Sequence, residues 1–159
     1  MKRWMVFALA VGALLMLRPR ESKDISGLIP VELLYIYKEA GWVMAQTDTG
    51  EFGRGRDLDA ALKDLEITAS GKIFLETADY LIVTGETVHL LPKLVAVLRP
   101  AAEVCLGIGA DVEALDYLKA HGPELTLKDI RAGAGEIPTL IRTGERYYFG
   151  QSRKFISQA

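Results

Sequence analysis

The sequence has few of the residues that catalytic and metal sites usually require. In 159 residues it contains one cysteine, Cys105, and two histidines, His89 and His121. One cysteine cannot form an internal disulfide, and a zinc site needs three or four closely spaced ligands that these residues do not provide. There is no G-x-S-x-G turn, and the isolated histidines do not suggest a Ser-His-Asp triad. We therefore expect no catalytic residues, no metal and no cofactor.

An excess of positive charge is also lacking. The 19 lysines and arginines are outnumbered by 21 acidic residues, and the net charge is −2. Because general nucleic-acid binding needs a basic footprint, we expect no nucleic-acid partner. Arg146, Tyr147–Phe149 and Arg153 have the mixed basic and aromatic character of a base-stacking surface. A half-buried edge hairpin is the simpler interpretation of that stretch.

The longest uncharged apolar run lies at the N-terminus. Trp4 to Leu17 is free of charge over 14 positions and follows the basic pair Lys2-Arg3. As a helix it would measure about 21 Å, which is less than the ~30 Å hydrocarbon core of a bilayer. The pattern is typical of a signal segment, and without a clear cleavage site it predicts an uncleaved signal anchor; a buried N-terminal helix is the alternative. We expect residues 1–17, the leader, to hold the chain at the cell membrane, single-pass or signal-anchored, with its body extracytoplasmic.

The remainder predicts a single α/β domain at residues 28–150, after a linker at 18–27 and before a polar tail at 151–159. Strands are predicted at 31–37, 42–48, 80–84 and 103–108. The first two are joined as a hairpin by residues 38–41, and a second hairpin is predicted from 138–141 and 146–149. Helices are predicted at 57–69, 87–99 and 111–121, of which the second starts late or kinks at Pro92, with a loop at 49–56 and a further helical turn or two at 125–132. This order implies a mixed sheet with a parallel βαβ centre, an antiparallel edge hairpin and three main helices.

The stretch from Gly53 to Glu86 is the centre of that prediction. Asp57 can accept hydrogen bonds from the free N–H groups of a first helical turn. Four apolar residues then recur on one helical face: Leu58, Ala61, Leu62 and Leu65. A short apolar strand from Tyr80 to Thr84 follows, so helix and strand form half of a βαβ unit.

Two glycine-containing turns in this stretch are the candidate interaction sites. Gly53 and Gly55 precede the helix, where backbone N–H groups could bind phosphate, but neither G-x-G-x-x-G nor G-x-x-x-x-G-K-[ST] is present. Gly85 and Glu86 follow a strand, where open α/β sheets bind ligands. A βα loop explains the first pair, and a favourable charge at a helix start explains Glu86. The four residues are retained as candidates for ligand or partner contact.

Five segments share their order and spacing with a known family. They are Asp24-Ile25-Ser26-Gly27-Leu28; Gly53-x-Gly55 with Asp57-Leu-x-x-Ala61-Leu62-x-x-Leu65; Gly71-Lys72-Ile73-Phe74; Leu81-Ile82-Val83-Thr84-Gly85-Glu86; and Leu98-Arg99-Pro100-Ala101-Ala102-Glu103. Together they resemble the N-terminal domain of the C subunit of spore germinant receptors, the Ger(x)C lipoprotein family. The resemblance covers roughly residues 24 to 120.

The resemblance implies a non-catalytic, membrane-tethered domain of a spore-forming bacterium, acting in receptor assembly or germination signalling. The membrane subunits of a germinant receptor would be its partners. The family's lipobox cysteine has no counterpart, because Arg18, Pro19 and Arg20 follow the leader. A histidine usual in the family is also replaced, around Thr77. We therefore expect a stand-alone first domain that the leader itself anchors.

Two other functions remain open at this point. A small-molecule-binding domain or enzyme would place its site at the strand ends near Thr84–Glu86 and Gly107–Gly109. An oligomeric scaffold would associate through its sheet edges, and the residues alone leave the oligomeric state open.

Overall fold

Nine strands and four α-helices follow one another in residues 27–154, the part of the chain that the computed structural model describes. The strands are β1 (Leu28–Pro30), β2 (Leu33–Glu39), β3 (Trp42–Thr47), β4 (Phe52–Gly55), β5 (Lys72–Phe74), β6 (Tyr80–Val83), β7 (Glu103–Ile108), β8 (Glu136–Thr143) and β9 (Arg146–Lys154). The helices are α1 (Leu58–Thr68), α2 (Leu91–Val97), α3 (Leu115–His121) and α4 (Leu127–Arg131). The predictions for the leader, for linker residues 18–26 and for residues 155–159 lie outside this range.

Seven of the strands form one mixed sheet in the order β4-β3-β2-β6-β7-β8-β9. The four central strands β2, β6, β7 and β8 are parallel. Antiparallel neighbours flank them, with β3 and β4 on one side and β9 on the other. The predicted α/β fold with a parallel centre is therefore confirmed, and the two predicted hairpins form antiparallel pairs on its two sides. Strands β1 and β5 form a separate two-stranded parallel sheet that the sequence did not predict.

The two faces of the large sheet are covered unequally. On the first face, the main core contains buried residues of α1, α2 and α4 packed on Leu34, Ile36, Leu81 and Val104. On the second face, a smaller cluster joins α3 and the 3₁₀ turn before it to the sheet through Leu33, Ile82, Cys105 and Leu140. Helical cover on the second face thus lies over the centre of the sheet.

Helix α1 forms as its sequence predicts. The Asp57 side chain accepts a hydrogen bond from Ala60 N–H at 2.8 Å and so caps the first turn. All four predicted core positions of the helix are buried: Leu58, Ala61, Leu62 and Leu65. Because this face is apolar and the opposite face is polar, burial against β3 and β4 is the main source of the helix's stability.

Two boundary predictions, the loop at 49–56 and the start of the third helix, are wrong, whereas the late start of the second helix is one that the prediction allowed at Pro92. The predicted loop at 49–56 contains β4, because Gly53 and Gly55 let this segment pair with β3 under α1. The second helix begins late, at Leu91, since Pro92 fits only in a first turn; a 3₁₀ turn precedes it. Asp111 caps another 3₁₀ turn, and α3 begins only after that turn.

The C-terminal prediction also needs correction. Residues 151–154 were assigned to a polar tail, yet they continue β9. They pair with β8, where Ile137 lies opposite Arg153 and Glu136 opposite Lys154. The hairpin itself, about Gly144, is confirmed and is longer than predicted.

Candidate functional site

Gly53 and Gly55 lie against α1 in the structure. A Cβ atom added to Gly53 would lie 2.7 Å from the Leu65 Cα and closer still to the Ala61 carbonyl oxygen. At Gly55 an added Cβ would meet Ala60 Cβ at 2.6 Å. The side of these glycines that faces α1 is therefore filled by the helix backbone. In the structure, the two glycines allow β4 and α1 to approach each other closely. A role of these glycines in ligand contact stays a prediction.

Gly85 and Glu86 form the tip of a tight turn after β6. The turn is fixed by Thr87, whose buried hydroxyl donates a 2.8 Å hydrogen bond to Ile36 O and accepts one from Thr84 N–H at 2.9 Å. Gly85 has no other group within 4 Å of where its Cβ would stand, and Glu86 is exposed. There is thus free space beside Gly85, and no side chain of residues 27–154 forms a hydrogen bond or ion pair with Glu86.

The ends of β7 and β8 carry the most connected polar cluster near the strand ends. Arg142 pairs with Asp111 and also reaches Glu113 at 2.8 Å. The Tyr147 hydroxyl donates to the other Asp111 oxygen at 3.2 Å, and the Arg142 guanidinium lies 5.5 Å from the Tyr147 ring centre. Since each charged group already has a partner, the cluster explains the hairpin's attachment to the sheet without a bound ligand.

An aromatic and basic surface lies on the second face over the end of β2 and over β3 and β4, beyond the cluster that α3 covers. We call it the open face. It consists of Tyr37, Glu39, Trp42, Gln46, Phe52, Arg54 and Arg56 around Met44, which is buried at 6% exposure. The register aligns Tyr37, Met44 and Arg54 in one row across the three strands, and side chains alternate between faces along each strand.

Two exposed apolar side chains and two guanidinium groups make this surface unusual. Trp42 is 37% exposed and Phe52 is 47% exposed. The Arg54 and Arg56 guanidinium carbons lie 5.2 and 6.0 Å from the Trp42 ring centre. Each such cation–π contact is worth about 0.5–1 kcal/mol at an exposed site. The arginines therefore hold the indole in place and add positive charge beside it.

Two potentially reactive side chains of the sheet, Cys105 and Tyr35, are held in their neutral forms. Burial raises the pKa of the Cys105 thiol well above its ordinary value, so this potential nucleophile is inert in the folded protein. Burial, aided by Tyr37 and Asp111, likewise raises the pKa of Tyr35 to about 12. Both groups remain protonated near neutral pH. Within residues 27–154, no group of three or more metal-binding side chains comes together.

A cavity on the opposite side of the sheet is lined mainly by apolar residues and glycines. It has a volume of about 580 Å³ and lies between α2 and α4. Its wall includes Pro92, Val95, Ile130 and the glycines Gly133 and Gly135. Only one charged residue lines it, and convergent ionisable groups are needed for general acid–base chemistry.

Comparison with known proteins adds no relative: no family model, no curated protein and no solved structure matches the chain. The resemblance to the germinant-receptor C subunit therefore stays a prediction. Among the described helices, none has the length and apolar character needed to cross a bilayer.

Sequence reasoning missed the open face. The signal was present as alternation in two short segments, Trp42-x-Met44 and Phe52-x-Arg54-x-Arg56. Alternation of this kind predicts which residues share a face. It could not place the two segments side by side, because the second segment was interpreted as a loop.

Proposed function

We propose that this chain is a non-catalytic, membrane-tethered domain whose open face binds a membrane-protein partner. One observation carries the proposal: within the described residues, no helix packs on the second sheet face over β3 and β4, and this face presents Trp42 and Phe52 beside Arg54 and Arg56. Tryptophan and arginine dominate the binding energy of many protein interfaces, because each buries a large area and can also make polar contacts.

The placement of the site favours docking over chemistry. The open face is a sheet surface, whereas small-molecule sites are concave and enclose most of their ligand. Burying the aromatic side chains of Trp42 and Phe52 against a partner would contribute roughly 25 cal/mol for each Å² of apolar area removed from water. A partner with apolar and acidic side chains would match this surface.

The biological setting follows from the sequence. The uncharged run Trp4–Leu17 of the leader favours attachment to the membrane with the body extracytoplasmic. A tether of this kind raises the local concentration of the domain near membrane partners. The five segments between Asp24 and Glu103 that share their order and spacing with the germinant-receptor C subunit support a similar role for this chain, in receptor assembly during spore germination.

Site-directed cross-linking in the native membrane tests the proposal. Glu39→Cys places a thiol on the open face, since Glu39 lies opposite Trp42 in the β2–β3 pair. Ile67→Cys on α1 is the matched control; it is 71% exposed and lies outside the open face. Native Cys105 does not interfere, because it is buried. A photoreactive thiol reagent then reports which position touches a membrane protein.

We expect the full chain to fractionate with membranes and position 39 to cross-link to a germinant-receptor membrane subunit, while position 67 does not. Adding Trp42→Ala to Glu39→Cys should remove the cross-link. A chain found in the soluble fraction would contradict the tether. Equal cross-linking from both positions would contradict the open face as the docking site.

A further inference from the structure

The two edge strands of the seven-stranded sheet differ in whether side chains of the described residues form hydrogen bonds with their backbone. At the β4 edge, the Arg54 backbone N–H donates to an Asp64 carboxylate oxygen at 2.8 Å. The Thr68 hydroxyl donates to the Phe52 carbonyl oxygen at 2.9 Å. Two residues of α1 thus occupy hydrogen-bonding groups that a further strand would need. Covering of this kind protects an edge from pairing with another chain.

The β9 edge has no comparable cover in the described part of the chain. Strand β9 pairs with β8 on one side only. No side chain of residues 27–154 forms a hydrogen bond with the β9 backbone, the nearest such contact being Arg142 to Gly144 O in the turn. Alternate residues of an antiparallel edge strand direct N–H and C=O groups outward. Over 9 residues this edge extends for about 30 Å.

The charge of β9 limits which strand could pair with it. The strand contains Arg146, Arg153 and Lys154 and no acidic residue, in a chain whose net charge is −2. Glu136 lies opposite Lys154 on β8, which leaves the two arginines without an acidic cross-strand neighbour in the register. An added strand with carboxylates would therefore form favourable cross-strand pairs.

A second copy of this chain is a poor match for the same edge. In an antiparallel β9–β9 pair centred near Gly150, Arg146 of one copy would lie close to Arg153 and Lys154 of the other. In a parallel pair each basic residue would face its own counterpart. Like charges directly opposite each other on neighbouring strands are destabilising.

We propose that the β9 edge binds an extended acidic segment of a partner protein, which adds an eighth strand to the sheet. Main-chain hydrogen bonds would supply the affinity, and the basic side chains would select the acidic sequence. This inference does not rest on the open face, because β9 lies at the opposite edge of the sheet.

The test uses the full chain in a mild detergent and a fluorescein-labelled peptide of alternating glutamate and valine. Fluorescence anisotropy measures binding, and a lysine–valine peptide is the control. The variant Arg153→Glu/Lys154→Glu should weaken binding of the acidic peptide about tenfold and should acquire affinity for the basic peptide. Trp42→Ala, a change on the open face, should leave acidic-peptide binding unaltered, so failure here and failure of the proposed function are distinguishable.

Two further measurements separate strand addition from simple charge attraction. Two N-methylated peptides are compared, one methylated at its odd-numbered residues and the other at its even-numbered residues. Each lacks the backbone N–H donors along one of its two edges, so one of the two peptides should fail to bind. Bound peptide should slow amide hydrogen exchange in residues 146–154 and not in 52–55. The proposal would be overturned if both N-methylated peptides bind as tightly as the unmethylated peptide, or if the unmethylated acidic peptide does not bind. So would a stable dimer that Arg153→Glu/Lys154→Glu converts to a monomer, since the edge would then bind a second copy.

Discussion

The close contact between β4 and α1 gives the sharpest test of how this fold is held together. Replacing Gly53 with alanine adds one methyl group at a position where the nearest atoms belong to backbone. The new Cβ would lie 2.7 Å from Leu65 Cα and closer to Leu65 N and Ala61 O. Backbone atoms inside a helix cannot rotate away, so strand and helix must separate. Overpacking of this kind costs 1–3 kcal/mol, and we expect about 3 kcal/mol here.

For a domain of this size, such a loss lowers the melting temperature by roughly 6–12 °C. Thermal unfolding followed by circular dichroism measures the change on the full chain in detergent. Gly85→Ala is the matched control, because no group lies within 4 Å of its added Cβ; its effect should stay within about 0.5 kcal/mol. The packing argument is refuted if the melting temperature of Gly53→Ala lies within about 2 °C of that of the parent chain, or if both variants lower the melting temperature equally.

Three further predictions concern single groups. Thr87→Val removes the buried hydrogen bond to Ile36 O and should destabilise the protein by about 1–3 kcal/mol in urea unfolding, whereas Thr87→Ser should retain most of the stability. Cys105 should react with a thiol reagent only as urea unfolds the chain, because it is buried and its thiol pKa is raised; rapid reaction of the native protein would contradict this. The Thr126 hydroxyl lowers the pKa of Asp129 below its ordinary value of 3.8. That contribution is therefore complete above the ordinary pKa and is lost as pH falls through the lowered one. Melting curves of Asp129→Asn should accordingly differ from the parent at pH 7 and converge with it in strong acid; a constant difference would exclude the linkage.

Local patterns predicted most of the secondary structure. Asp57 and the leucines after it specified α1, because a cap and an apolar stripe act within a few residues of each other. The strand Glu103–Ile108 was predicted with its observed limits, since a short apolar run between turn signals is a local feature as well.

The missed elements share a different cause. Strands β1 and β5 have only three residues each and pair with each other across more than 40 positions. Strand β4 contains two glycines, which weaken a strand unless another backbone approaches closely. That approach is made by α1, so the reason for β4 lies outside its own sequence.

The sequence by itself therefore determined the α/β class, the capped central helix, the parallel strands and the scarcity of reactive groups. Only the tertiary structure decided that no helix of the described residues covers the second sheet face over β3 and β4. It also decided that α1 protects the β4 edge while β9 keeps its edge accessible there. The physical reason is that helices and turns are encoded by neighbours along the chain. Which face is covered and which edge is paired depends on contacts between residues that are far apart in sequence.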